Sequence, residues 1–153
     1  MRQATTVFTP DGPFNITVED GAVVGSGWGV DATGDADAAP DAIMRQAIAA
    51  VEAYYDGDFA LTMGVPVKQA GSPFRQDVWQ ALRQVPAGST VTYGQLAASA
   101  GRPGAARAVG SAMAGNAVPL FVPCHRVVKS DGTVGQFGFG TPLKQSLLHR
   151  ERS

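Results

Sequence analysis

The sequence predicts an α/β protein of the α+β kind, with a small N-terminal β-sheet subdomain and a mainly helical C-terminal subdomain. Three observations carry this expectation. Short β-favouring runs broken by tight-turn residues fill the chain before Trp28, and helical spacing takes over at Pro40. The charge then reverses near residue 70: residues 1–70 carry three cations against ten anions (−7), and residues 71–153 carry nine against three (+6). With 44% hydrophobic and 16% charged residues, the 153-residue chain can bury a core, which excludes disorder. No apolar run approaches the ~18 residues of a membrane span. Met1-Arg2-Gln3-Ala4 leads into no apolar segment, so a cytoplasmic address is expected. One cysteine and two histidines argue against an internal disulfide or a structural zinc site.

The elements follow in order. Ala4–Thr9, Phe14–Val18 and Ala22–Val30 read as strands, separated by the turn signals Pro10-Asp11-Gly12-Pro13 and Glu19-Asp20-Gly21. Asp31–Ala39 is small and polar, a loop. Pro40 opens a helix whose apolar face is Met44, Ile48, Val51 and Tyr55, and Asp56-Gly57-Asp58 ends it. An extended linker from about Phe59 to Gly71 divides subdomain 1–70 from subdomain 71–153. Ser72-Pro73 is an N-cap with proline at the first helical position, and Phe74, Val78 and Leu82 form the stripe, with Trp79 beside it. Thr92-Tyr93-Gly94-Gln95 fits a capping box opening a helix that carries Leu96. The turn Gly101-Arg102-Pro103-Gly104 leads to a second helix, Ala105–Gly115, and the pair resembles a helix-turn-helix. A last helix near Pro142–Arg150 buries Leu143, Leu147 and Leu148.

Chemistry concentrates in Val122-Pro123-Cys124-His125-Arg126-Val127-Val128. A lone cysteine among apolar residues is most often a small buried hydrophobe. Here His125 and Arg126 follow it, two groups that can favour a thiolate. On an extended segment neighbouring side chains point opposite ways, so a water between Cys124 and His125 is expected. The helix Ala105–Gly115 is nearly smooth, with Arg107 projecting from alanines. That surface suits close approach of a backbone to nucleic acid while Arg107 fills a gap in a base stack. The glycines of 132–140 are followed by no Gly-Lys-Ser/Thr, so a phosphate loop is a weak reading.

Pro123-Cys124-His125-Arg126-Val127-Val128 resembles the active-site signature of the methylated-DNA–protein-cysteine methyltransferases, the O6-alkylguanine-DNA alkyltransferases. The similarity runs in order through Ser72-Pro73-Phe74, Val78-Trp79, Tyr93-Gly94-Gln95-Leu96-Ala97, Arg107-Ala108-Val109-Gly110, Asn116, Lys144, Leu147-Leu148 and Glu151. It covers residues 72–151, whereas the N-terminal half matches loosely through Thr9–Pro13. The resemblance implies a ribonuclease-H-like N-terminal sheet and a helix-turn-helix that enters the minor groove of double-stranded DNA. Cys124 would accept the alkyl group of O6-alkylguanine, and of O4-alkylthymine, once per molecule. His125, polarised by Glu151, would take the thiol proton through a water. Tyr93 would donate toward guanine N3, and Asn116 would brace the cysteine turn. Arg107 would replace the flipped nucleotide, with Ala105, Ala106, Ala108, Tyr93 and Arg126 on the DNA side. Val127, Val134, Gly135, Phe137, Gly138, Phe139 and Lys144 would line the alkyl pocket. No metal, S-adenosylmethionine or nucleotide cofactor is implied, and the working unit is expected to be a monomer.

The sequence departs from the family pattern at Ala117, commonly proline; at Phe139, often a small residue or tryptophan; and at His149-Arg150, where Ala-His is frequent. Two other classes compete. Alkyltransferase-like damage sensors lack the cysteine that is present here as Cys124. A cysteine hydrolase brings its histidine from elsewhere in the fold, and His149 is the only candidate for that role.

Overall fold

The computed structural model describes residues 2–29, 34 and 39–152. They form two compact units, one of residues up to Gln69 with Ala117–Phe121, the other of Ala70–Asn116 with the chain from Val122 onward.

In the first unit, β1 (Arg2–Thr9), β2 (Gly12–Glu19) and β3 (Ala22–Trp28) make an antiparallel sheet in that order. Asp20 and Gly21 both take positive φ, 51° and 79°, so the β2–β3 turn is of the I′ kind that matches strand twist. Phe14 through Val18 are buried without alternation, which places β2 at the centre of the sheet with both faces covered. The expected strand extension to Val30, and the loop at 31–39 apart from Gly34 and Ala39, lie outside the described residues.

Helix α1 (Ala42–Tyr55) starts two residues after Pro40 because Asp41 caps it, Oδ1 accepting from Met44 N at 2.8 Å. Its buried face is Met44, Ala47, Ala50, Val51 and Tyr54. This corrects the expected stripe: Ile48 and Tyr55 are half-buried, because small alanines allow close packing on the sheet and rotate the contact face toward Tyr54. Tyr55 instead turns its hydroxyl to a polar chain, accepting from Trp28 Nε1 at 3.1 Å and donating to Asp11 at 2.9 Å.

The segment expected as an extended linker is more structured. Leu61–Gly64 forms a 3₁₀ turn, and the chain then runs beside β3, with Val23 N donating to Pro66 O and Lys68 N to Val23 O, both at 2.9 Å. Residues 117–121 approach the same strand: Ser26 N donates to Ala117 O at 3.0 Å and Ser26 Oγ to Pro119 O at 2.8 Å. The edge of β3 is thereby satisfied by segments far away in sequence.

In the second unit, α2 (Pro73–Leu82) is capped by Ser72 and buries Val78, Trp79 and Leu82. Phe74 is half-buried and stacks instead under the Arg102 guanidinium at 5.0 Å. A short strand β4 (Val91–Thr92) leads into α3 (Tyr93–Ser99), whose capping box is complete: Gln95 N bonds Thr92 Oγ1 at 3.1 Å and Thr92 N bonds Gln95 Oε1 at 2.9 Å. After the Gly101–Gly104 turn comes α4 (Ala106–Ala114). Two α2 side chains hold the C-terminal half of α4. Trp79 Nε1 donates to the Ala112 carbonyl at 3.0 Å, one of the carbonyls a helix end leaves unpaired, and Arg75 Nη2 donates to Ser111 Oγ at 2.7 Å. Strand β5 (Val127–Val128) pairs in parallel with β4, and α5 (Thr141–Arg152) follows. On α5 the buried positions are Lys144, Leu147, Leu148 and Glu151, with Leu143 only half-buried. The i, i+3, i+4, i+7 spacing thus places two charged residues on the inward face.

Candidate active site

Cys124 opens a 3₁₀ turn, Cys124–Arg126, immediately before β5. The extended geometry expected there is corrected: Arg126 N reaches back to Pro123 O at 2.9 Å, and Cys124 N to Val122 O at 2.8 Å. Asn116 secures this turn, its Nδ2 donating to Val122 O at 3.0 Å while its side chain also bonds the Cys124 thiol. Cys124 remains half-buried, whereas His125 and Arg126 are 1% exposed.

Both buried residues converge on Glu151. His125 Nε2 lies 2.5 Å from Glu151 Oε2, Arg126 Nε donates to Oε1 at 2.8 Å, and Arg126 Nη2 donates to Oε2 at 3.2 Å. Helix α5 continues through Arg152, so Glu151 is held within regular helix. Burial pushes the Glu151 carboxyl up, but His125 and Arg126 together outweigh it and bring it down to about 2. Burial, reinforced by the Arg126 and Lys144 charges, lowers His125 against the pull of Glu151. At neutral pH the carboxylate is therefore ionised and the imidazole neutral. An ionised carboxylate only accepts, so the imidazole proton sits on Nε2 and the lone pair on Nδ1.

Burial raises the Cys124 thiol, opposed by the Asn116 hydrogen bond and the Lys144 charge. The resting group is a thiol, and a base must take its proton as it reacts. Lys144 is buried on α5, with Nζ donating to Val127 O at 2.6 Å and to Gln136 O at 3.3 Å. Burial lowers its ammonium to about 8. Tyr93, the first residue of α3, is brought beside the cysteine turn by the β4–β5 pairing. Its phenol is raised by burial and then by the Cys124 charge. Gly135 takes φ +77°, a conformation that L side chains rarely adopt, and it lies beside this group, with a Cβ there in ordinary van der Waals contact with Tyr93 Oη and Lys144 Nζ at 3.4 and 3.7 Å.

Cys124, His125, Glu151, Tyr93 and Asn116 thus come together. Of the expected pocket residues, Val127 is buried, and Val134, Gly135, Phe137 and Phe139 are half-buried, the two rings 5.7 Å apart. Gly138 is exposed. On α4 and its cap, Arg107 and Ala108 are exposed, with Ala105 and Ala106 half-buried. Arg126 is corrected: it is no DNA-facing residue, because its side chain is 1% exposed and its guanidinium bonds Glu151 and, at 2.8 Å, Val85 O. Sequence reasoning missed this clamp, since Val85 and Glu151 lie far from Arg126 in the chain and leave no local signal. His149 is exposed. Among the described residues no group of three His, Cys, Asp or Glu could hold a metal ion, and no helix is long and apolar enough to cross a membrane.

Comparisons with known proteins converge on this region. A family model described as the DNA binding domain of 6-O-methylguanine DNA methyltransferase matches residues 73–153. The methylated-DNA–protein-cysteine methyltransferase of Salmonella typhimurium is 46% identical over 98 residues, 64% of this chain and 57% of the relative. The Mus musculus protein of the same description is 47% identical over 116 residues, 71% of this chain and 54% of the relative. The matches therefore span little more than half the length of these relatives. Among solved structures, Mycobacterium tuberculosis OGT in complex with DNA has a TM-score of 0.83 at 34% identity, covering 98% of this chain and 92% of that one. The O6-methylguanine-DNA methyltransferase of Pyrococcus kodakaraensis has a TM-score of 0.71 at 26% identity over the full length of both chains.

Proposed function

Because the chain belongs to the 6-O-methylguanine DNA methyltransferase family, we propose that it repairs alkylated DNA by moving the alkyl group onto Cys124. The observation that carries this reading is the buried Cys124–His125–Glu151 cluster, in which a neutral imidazole stands next in the chain to a protonated thiol. His125 Nδ1 takes the Cys124 proton through a water. The sulfur then attacks the alkyl carbon of O6-alkylguanine, an S–C bond forms, and the C–O6 bond breaks with its electron pair leaving on the guanine. Tyr93 offers its phenolic proton to guanine N3, so the departing base leaves neutral. The imidazolium proton returns to the phenolate through solvent, and a thioether remains. A thioether is a poor leaving group, so each molecule acts once.

The partner in this reading is double-stranded DNA, contacted in the minor groove by α4. The small residues Ala106 and Ala108, with Ala105 at its cap, permit close approach, and exposed Arg107 fills the space of the extruded nucleotide. Extrusion costs less for a weakly paired alkylated base, which supports selectivity for O6-alkylguanine and for O4-alkylthymine. Val127, Val134, Gly135, Phe137, Gly138, Phe139 and Lys144 surround the alkyl group. The protein works as a cytoplasmic monomer without metal or nucleotide cofactor.

Intact-protein mass spectrometry after incubation with an oligonucleotide containing O6-methylguanine tests the proposal. The expected result is a gain of one methylene, mapped to Cys124 and stopping at one equivalent. Retained lesion binding with no mass change would overturn it in favour of a damage sensor.

A further inference from the structure

Arg126 follows the base His125 directly, yet its side chain serves neither solvent nor DNA. Its Nε and Nη2 grip both oxygens of Glu151 at 2.8 and 3.2 Å, and Nη1 is anchored on Val85 O at 2.8 Å. A planar guanidinium fork fixes the plane of a carboxylate in a way that a point charge does not. The oxygen that meets His125 Nε2, Oε2, is also held by Arg126 Nη2.

The charges matter as much as the geometry. A buried carboxylate alone beside an imidazole favours the imidazolium, which has no lone pair with which to accept a thiol proton. A cation sharing that carboxylate opposes the pull. Burial is the largest influence on His125 and lowers it; the charged groups acting on it are Glu151 and Lys144 from α5 and Arg126 from its own turn, of which Glu151 raises it and both cations lower it. Cys124 precedes it in the turn, and Tyr93 of α3 acts on Cys124.

We propose that Arg126 is a positioning residue: its fork sets the Glu151 carboxylate against His125 Nε2, which leaves the imidazole lone pair on Nδ1, and its charge offsets part of the carboxylate's pull on that ring. This rests on the reading of Cys124 as acceptor and His125 as its base.

Nitrogen-15 NMR of the histidine-labelled full chain tests it, with His125 assigned by comparison with a His149→Asn variant. In the parent, His125 should carry its proton on Nε2 and titrate below the ordinary histidine value of about 6.5. Arg126→Met removes the charge, so the titration should rise by about one unit or more, and the acid limb of the methyl-transfer rate should move with it. Arg126→Lys keeps the charge and loses the fork. Its titration should stay low while the tautomers mix and the transfer rate falls about tenfold. A merely structural role would lower the yield of folded protein without moving either titration or tautomer. An Nδ1–H tautomer in the parent, or Arg126→Met titrating with the parent, overturns the proposal. If Arg126→Met does not fold, Arg126→Lys decides: an unchanged tautomer and rate overturn it. The histidine signals are read without any substrate. A parent that has the Nε2–H tautomer but transfers no methyl would therefore refute the proposed function and leave the role of Arg126 standing.

Discussion

Replacing Glu151 by glutamine should change how the second unit responds to acid. Folded, the Glu151 carboxyl is held at about 2, against an ordinary value of 4.5. A group depressed in the folded state contributes stability above its unfolded value and loses it as pH falls through its folded value. At about 1.4 kcal/mol per unit, the gap from 4.5 to about 2 is worth on the order of 3 kcal/mol, lost between roughly pH 5 and pH 2. Glu151→Gln keeps the shape and removes that dependence. It also leaves the Arg126 guanidinium buried without its counter-charge, which costs about 3–5 kcal/mol at neutral pH. Urea unfolding from pH 7 to pH 2 measures both effects. The fluorescence of Trp79 reports the second unit once Trp28, in the first unit, is replaced by phenylalanine in parent and variant alike. Asp131 is also held low, by hydrogen bonds from Thr133, and Glu19 by Arg2. Both groups persist in the variant, so they cancel in the difference between the two curves, which reports Glu151 together with the imidazole coupled to it, His125. The variant should be less stable at pH 7, with the gap closing as acid is added. Parallel curves, offset by a constant amount, would refute the electrostatic reasoning.

Cys124→Ser should abolish methyl transfer while lesion binding, measured by fluorescence anisotropy, changes little; retained transfer would sink the acceptor assignment. Arg107→Ala should slow repair of O6-methylguanine in duplex DNA far more than reaction with a free alkylguanine base, because only the duplex needs a gap filled. Equal losses on both substrates would count against the plug. Thr92→Ala removes the oxygen that caps α3 at 3.1 Å and should cost about 1 kcal/mol, read from the urea midpoint. It should also slow transfer through Tyr93, the next residue, and an unchanged rate would separate the cap from the site.

Features whose cause lies within a few residues were legible from the chain alone. The Thr92–Gln95 capping box, the Ser72-Pro73 helix start and the Asp20-Gly21 turn all occur where local chemistry requires them. So does the Cys124-His125-Arg126 signature, whose family likeness also named Glu151, Tyr93 and Asn116. The buried face of α1 is not legible from the chain because the alanines at 47 and 50 carry little hydrophobic signal, yet both are buried on that face. The linker and residues 117–121 were opaque for a different reason: their hydrogen bonds go to β3, tens of residues away.

Amino-acid order by itself determined which residues could do chemistry and where helices and strands begin, because nucleophilicity, capping and turn preference belong to short stretches of chain. Tertiary structure alone decided what those residues do for one another. Arg126 reads in the sequence as a cation available to DNA, and only the return of α5 turns it inward onto Glu151. The physical reason is burial. Desolvation and the charges gathered inside the fold set the protonation of Cys124, His125 and Glu151, and neither exists until the chain has folded.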